Sequence, residues 1–442
     1  MEGVVLNRRS RWDWLPALLA SLICYTLLAY RFQRYESFAV FTCLAVLFLL
    51  YAWVLMRGSL PNSTQVLVAA MVLRVVFLFS IPSLSDDVYR FLWDGWLWDH
   101  GYDPFLYTPR EFMAQGVGEP QLFALLGNRD SHTVYPLIPM GLSRIAVHLS
   151  DDLTIRIVIL RLAHLAAEFG TLMLMTNLFK RWHLPACSLS AYAFNPLVIL
   201  ELTGNLHHEA FVIFFLMAAI SMLDRNRDVA AGALFAGAVA SKLLPLIFLP
   251  AWLASLGRRR GFRFIAVAMV VAGVALSVQV SAGFVEGMGS GLGLYFNRFE
   301  FNASLWYLIR EVGTLLAGYN IIRVAGPVMV LTGGLLIVFI ALRKDIRNDV
   351  RDWRLNLFSS SLVSLTLYLI FATTVHPWYL APMVALAAPA GLIFPLAWSG
   401  LAMFTYLGYH RTGFSENWFV VITEYLFVFA LILFEWKKLQ KR

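Results

Sequence analysis

Five short stretches of this 442-residue chain carry polar side chains whose types and spacing could do chemistry in an otherwise apolar sequence. The first, SDDVYRFLWDGWLWDHGYDPF, opens with Asp86 and Asp87. Arg90 follows Asp86 by four residues, Asp94 follows Asp87 by seven, and five aromatics run from Tyr89 to Trp98. Carboxylates at a helix N-terminus are favoured by the backbone dipole, so capping is one reading. The other is an acidic general base beside the headgroup of a lipid substrate. The second stretch, GNLHHEAF, sets His207, His208 and Glu209 side by side. It invites a metal, but adjacent histidines point in different directions on a helix and the HExxH spacing is absent. Hydrogen bonding to a substrate suits it better.

The third stretch, SKLLPLIFLP, holds Lys242 inside an apolar run. An ionisable group there costs at least ~2.5 kcal/mol and usually faces a polar cavity or an anion. Snorkelling to an interface is the alternative, and phosphate binding is the preferred reading. The fourth, FNRFEFNASLW, contains Arg298, Glu300 and Asn302. These read either as a surface pair of little energetic weight or as substrate ligands. Asn302-Ala303-Ser304 also fits a glycosylation pattern too common to weigh. The fifth, THPWYLAP, puts His376 before Pro377, Trp378 and Tyr379. Proline suits a helix first turn and the aromatics suit an interface belt, while a histidine at a helix N-terminus is also placed to bind phosphate.

The elements that must position these residues are membrane helices. The chain is 60% apolar and 14% charged, with a mean hydropathy of +0.69. A soluble domain carries nearer a quarter charged residues, so this is an all-α integral membrane protein. Small accessory subunits and single-span receptors are excluded. Apolar runs fall at 14–31, 37–56, 64–81, 154–179, 185–203, 209–223, 262–282, 321–342, 355–372, 378–394, 395–410 and 417–434. A further run, 229–256, is broken at Lys242 and Pro245 and flanked by basic residues, and it reads as a hairpin of two helices. The expectation is a bundle of about 12–14 transmembrane helices, at roughly 20 residues per span. The first run is too long, and too poor in a small-residue cleavage site, for a removable signal peptide.

The positive-inside rule gives the orientation. A cytoplasmic N-terminus puts Arg8, Arg9, Arg11, the 258–263 cluster, the Arg343-to-Arg354 loop and the Lys437-to-Arg442 tail on one face, with the C-terminus on the same side. The net charge of +8 therefore marks topology and implies no nucleic acid. Cys24, Cys43 and Cys187 lie in apolar runs without a CxxC pair, which indicates neither a disulfide framework nor a zinc site. Residues 1–442 read as one polytopic domain with two long outer segments, 82–152 and 283–320, each expected to carry interfacial helices. The polar stretches fall on the outer face, apart from Lys242 at the outward tip of its hairpin. A single outward-facing polar cavity is the economical reading.

SDDVYRFLWDGWLWDHGYDPF, NPLVILELTGNLHHEAF, SKLLPLIFLP, FEFNASLW and HPWYLAP, in that order, resemble the GT-C superfamily of polytopic glycosyltransferases. Within it the chain resembles the bacterial polyprenyl-phosphomannose-dependent mannosyltransferases that build lipomannan and related glycolipids. The resemblance implies a GT-C-type bundle in the bacterial inner membrane, with an extracytoplasmic site that moves a sugar from a polyprenyl-phosphate donor to an acceptor hydroxyl with inversion. The family's catalytic acid residue in the first outer loop matches Asp86 or Asp87. Lys242, Arg298 and His376 would serve the leaving phosphate, and Arg90 would assist beside the acids. His207, His208, Glu209, Asn302 and Glu300 would bind sugar, and Trp378 or Tyr379 would line the prenyl groove. The partners implied are that donor, a glycolipid or glycan acceptor and membrane lipids. A divalent metal is not required by a lipid monophosphate leaving group, and none is indicated. One departure is that two complete spans precede the span leading into the acidic loop, where many members have one. A lipid-linked sugar transporter or flippase, and a polysaccharide polymerase or ligase, are the competing readings.

Overall fold

The computed structural model describes residues 14–57, 62–343 and 353–439. Arg8, Arg9, Arg11, most of the Arg343-to-Arg354 loop and the end of the basic tail lie outside the described residues. Apolar sequence becomes helix here because in hydrocarbon every backbone N–H and C=O must be satisfied within its own segment. Three helices come first: α1 (Leu15–Tyr30), α2 (Ser37–Arg57) and α3 (Ser63–Val75). The acidic loop therefore follows the third helix, and of these three only α2 is long and apolar enough to cross a membrane.

The segment 82–152 folds into four helices, α4 (Asp87–Asp99), α5 (Pro109–Met113), α6 (Pro120–Leu125) and α7 (Leu137–Leu149). It has an apolar core of its own, formed by Phe91, Leu92, Trp93, Leu97, Phe112 and Val147 with residues of the next helix. The expected interfacial helix is α4, but its aromatic face turns inward and Trp93 is fully buried. Gly95 makes this packing close, since a Cβ there would come within 2.5 Å of the Ser143 carbonyl carbon on α7. The segment 283–320 holds α13 (Phe284–Asn297) and α14 (Leu305–Ala317). On α14, Leu308, Val312, Leu315 and Leu316 form an exposed apolar stripe at helical spacing, the form of a helix lying on a membrane surface.

The main bundle is completed by α8 (Leu153–Arg181), α9 (Ala186–Ala193), α10 (Glu209–Asp224), α11 (Asp228–Ser241), α12 (Leu249–Ser277), α15 (Ile322–Leu342), α16 (Trp353–Phe371), α17 (Ala381–Ala390), α18 (Phe394–Ala402) and α19 (Trp418–Leu439). Among the described residues five helical stretches are long and apolar enough to cross a membrane, or six if the bent pair around residue 205 is one span. The other expected spans are shorter or interrupted. Prolines 377, 382, 389 and 395 and Gly391, at φ +65°, break the run after residue 376 into a short 3₁₀ turn and two short helices. All of α17 but its last residue, Ala390, is buried, as a helix apolar all round must be. The hairpin at 229–256 forms with its break at Lys242, but its return leg continues through a kink at Gly257, φ +70°, into the run expected as a separate span.

Candidate active site

Asp86 and Asp87 open α4, yet neither carboxylate caps it: Asp86 stands at the cap position with no side-chain cap bond. The hydroxyl of Ser85 takes the Asp87 N–H instead, at 3.3 Å. The two acids then part, as adjacent helical residues must. Asp86 Oδ2 accepts from Arg34 Nη2 at 3.1 Å, against Gly127, where a Cβ would collide with the carboxylate. Asp87 Oδ2 lies 3.4 Å from His207 Nε2, with its side chain about a third exposed. Arg90 does not pair with Asp86; its Nε donates to Asp94 at 2.9 Å and its Nη1 to the Ser131 carbonyl at 2.9 Å.

His207 is delivered by a sharp bend. Residues Val198–Gly204 form a π-helical turn, and the chain then swings through 111° into α10. Leu206 takes φ +65° at the corner, a costly conformation for a leucine that persists because packing over-determines it. Buried Arg161 secures the bend by donating to the carbonyls of Thr203 and Gly204 at 3.0 Å and to those of Leu78 and Ser80. His207 Nδ1 meets Glu201 Oε2 at 3.0 Å, and Glu201, wholly buried, also accepts from Tyr406 and Asn205. The ring is fixed from its face as well: His207 stacks on Trp378 at 3.8 Å, and Trp378 on His376 at 4.3 Å.

His376 and Trp378 are held by the segment 283–320. Phe301 pairs with Thr374 as a short parallel bridge, and the Thr373 and Thr374 hydroxyls donate to the carbonyls of Tyr295 and Phe299. Asn302 locks this bridge from behind. Its side-chain amide donates to both Glu424 oxygens at 3.1 Å, and its N–H donates to Glu416 at 2.7 Å.

Asp87, His207, His208, Glu209, Lys242, Trp378 and Tyr379 all line one cavity with about 1690 Å³ of empty space. Lys242 is ion-paired with Glu209 and sits 4.4 Å above the Tyr379 ring. His208, 4% exposed, has no partner at either ring nitrogen, so its donor and acceptor are open to a ligand. The far walls are apolar: Leu244, Ile247, Val330, Ile337 and Phe371. Trp378 and Tyr379 thus stand at the polar end of the cavity, and its apolar wall comes from α15, α16 and the turn after Lys242. A smaller polar cleft of about 490 Å³ adjoins the cavity. Asp87, Val134, Tyr135 and Tyr295 belong to both walls, while Asp86 and Arg90 line only the cleft.

Three expected ligands lie elsewhere. Arg298 faces a different space. Glu300 pairs with Arg310 and Asn320, both at 2.6 Å. Asn302 is fully buried at φ +44°, which also removes it as a glycosylation acceptor. His376 does not line the cavity and touches it through Trp378 and Tyr379. Among the described residues no group of three or more His, Cys, Asp or Glu is arranged to hold a metal. Arg34, Glu201 and Tyr406 escaped the sequence reading. Glu201, a lone acid inside NPLVILELTG, carried a usable signal, since an ionisable residue in an apolar run is a site candidate by default.

Desolvation at the cavity wall would raise the Asp87 carboxyl, but the hydrogen bond from His207 and the positive charges of His207 and Lys242 prevail and hold it below its ordinary value. Burial pushes the His376 ring down to about 3 against the pull of Asp87, so it is neutral. The wall therefore presents an ionised carboxylate, a cation and an open imidazole to one empty space.

A family model described as alpha-(1->6)-mannopyranosyltransferase, N-terminal domain, matches residues 14–258. An alpha-(1->6)-mannopyranosyltransferase A of Mycobacterium tuberculosis is 26% identical over 340 residues, covering 71% of this chain and 62% of that protein. One of the same name from Corynebacterium glutamicum is 24% identical over 388 residues, covering 78% and 76%. The chain thus spans less than two thirds of the first relative's length. No solved structure matches.

Proposed function

The chain belongs to the alpha-(1->6)-mannopyranosyltransferase family, and from that premise we propose that it is a membrane mannosyltransferase using a polyprenyl-phosphate donor and an acceptor hydroxyl at the extracytoplasmic face. The observation that carries the reading is the position of Asp87 on the wall shared by a large cavity with an apolar end and a small polar cleft. A polyprenyl chain suits the first and a sugar acceptor the second.

The Asp87 carboxylate takes the proton of the acceptor hydroxyl as that oxygen attacks C1 of mannose. The C1–O bond breaks, the electron pair leaves with the polyprenyl monophosphate, and C1 inverts. An α product by inversion calls for a β-linked donor. His207, fixed by Glu201 and Trp378, orients Asp87. Lys242 meets the charge that develops on the leaving phosphate, exchanging its Glu209 contact for a phosphate oxygen. His208 hydrogen-bonds the sugar. In this reading the termini are cytoplasmic, the membrane is a bacterial plasma membrane and the acceptor is a glycolipid or glycan.

The test uses purified protein in detergent with polyprenyl-phosphate donors carrying radiolabelled mannose, glucose or arabinose, and octyl α-mannoside as acceptor. Mannosylated product that disappears with Asp87→Asn and survives Asp86→Asn upholds the reading. Donor left intact by folded protein sinks it, and translocation of the donor across a vesicle would then favour a flippase.

A further inference from the structure

A carboxylate that takes a proton from an acceptor hydroxyl takes one from water by the same chemistry. Water would attack C1 of the donor sugar, its proton would pass to Asp87, and free mannose and polyprenyl phosphate would leave. A transferase has to keep water from that point until the acceptor is in place. Asp87 stands where the large cavity meets the polar cleft, so the barrier has to lie between those two spaces.

Beside Asp87 and Val134, the partition consists of two aromatic rings, Tyr135 and Tyr295. Tyr135 lies in the loop that leads into α7, and Tyr295 lies near the end of α13. Gly291, one turn before Tyr295, lets these distant segments meet: a Cβ there would come within 2.6 Å of Val134 Cγ1 and 3.0 Å of the His132 carbonyl oxygen. Each tyrosine is anchored at its base. The Tyr135 N–H donates to the Thr133 hydroxyl at 3.3 Å, its carbonyl accepts from Gln279 Nε2 at 3.4 Å, and its ring meets Phe91 edge-on at 4.9 Å. The Tyr295 carbonyl accepts from the Thr373 hydroxyl at 2.7 Å.

The tips are different. Among the described residues neither phenol oxygen has a hydrogen-bond partner, and neither is sealed from the open space. Burial, and after it the Asp87 charge, raises both phenols above their ordinary value, Tyr295 to about 12, so both are uncharged O–H groups. A side chain fixed at its backbone and unbonded at its tip turns between rotamers without breaking a hydrogen bond. Two such rings stand between the space for the donor and the space for the acceptor.

We propose that Tyr135 and Tyr295 form a gate that makes the site choose a sugar hydroxyl over water: the rings close the cleft side of Asp87 until an acceptor displaces them. The inference rests on the transferase reading, and it adds what decides between transfer and hydrolysis at that site.

The test follows a polyprenyl-phosphate donor carrying radiolabelled mannose in detergent, with octyl α-mannoside as acceptor, and counts free mannose and mannosylated acceptor separately. It compares wild type with Tyr135→Ala, Tyr295→Ala, the double variant, and Tyr135→Phe and Tyr295→Phe. Wild type should give mostly transfer, and free mannose as its main product overturns the proposal. In the double alanine variant the share of free mannose should rise by about tenfold, the low end of what one pocket contact discriminates, with the donor KM kept. The phenylalanine variants retain the rings and should retain the wild-type share. An unchanged share in the folded double alanine variant overturns the proposal, as does a rise of the same size with phenylalanine, which would place the effect in the hydroxyls. Where alanine prevents folding, Tyr135→Leu with Tyr295→Leu, which shortens both side chains and keeps them apolar, takes its place in the same comparison. If wild type gives neither product, the transferase reading fails. If it transfers mannose and the share does not move, only the gate fails.

Discussion

Two polar clusters of similar composition are wired in opposite ways. Around Asn302 the donors and acceptors meet one another: Trp398 and Asn302 donate to Glu424, Tyr307 and the Asn302 N–H to Glu416, and Tyr425 to the Asn302 carbonyl. On the cavity wall the groups face empty space. His208 has no partner, Asp87 is a third exposed, and Lys242 is met by one carboxylate. Apart from the Asn302 side-chain oxygen, which lacks a partner, this web closes on itself and rigidifies what it touches, here the bridge that carries His376 and Trp378. A wall with open hydrogen-bonding capacity is made for something that arrives later. Residue type does not separate the two clusters; where the partners are does.

The contrast breaks most visibly through Asp87. Asp87→Asn should lower kcat/KM by about 10²–10⁴-fold, the range for a lost general base, with the melting temperature held. Asp86→Asn, which loses its Arg34 contact, should cost less than about tenfold, and equal losses at the two positions would overturn their different roles. Lys242→Met should cost on the order of 10²-fold in kcat. Because it leaves Glu209 buried and unpaired, the double variant with Glu209→Gln separates lost phosphate contact from lost stability: recovery of melting temperature without recovery of rate is the expected result.

Asn302→Ala should do the reverse. It strands the Glu424 carboxylate that accepts its amide, so a loss of about 1–3 kcal/mol in stability is expected, read by thermal unfolding in detergent, with kcat of the folded protein within a few fold. A large rate loss at full stability would instead make Asn302 a substrate ligand.

The smallest effects are on pH. The Asp87 carboxyl is depressed in the fold, so its charge is present above its ordinary value of 3.8 and is lost only as pH falls through the lower folded value. Its titration should leave kcat/KM flat down to about pH 4. His376 is neutral in the fold down to about 3 but protonates near 6.5 when unfolded. The unfolded chain therefore binds the extra proton, and stability should fall as pH drops below 6.5. His376→Phe should make the fall in melting temperature between about pH 6.5 and 4 shallower, by the share that His376 contributes.

How much of this the sequence carried differs by residue. Lys242 was legible because a cation in an apolar run costs too much to be idle, and it does face the cavity. Asn302 and Glu300 lie only a few residues from Arg298 in one stretch, yet the three went to a buried web, a surface network and a separate pocket. Spacing along a turn says nothing about which way the next loop runs. Tyr135 and Tyr295, on the wall between cavity and cleft, left no mark because tyrosines are ordinary in membrane proteins.

The sequence by itself determined the solvent and the elements: its hydropathy requires helices that satisfy their own backbone in lipid, and its few charges inside apolar runs are too costly to lack a role. Only the tertiary structure gave Asp86 and Asp87 different surroundings. Adjacent side chains diverge by about 100° on a helix, and which direction meets Arg34 and which meets His207 depends on a bend 120 residues away, held by Arg161. That arrangement is set by packing between distant segments.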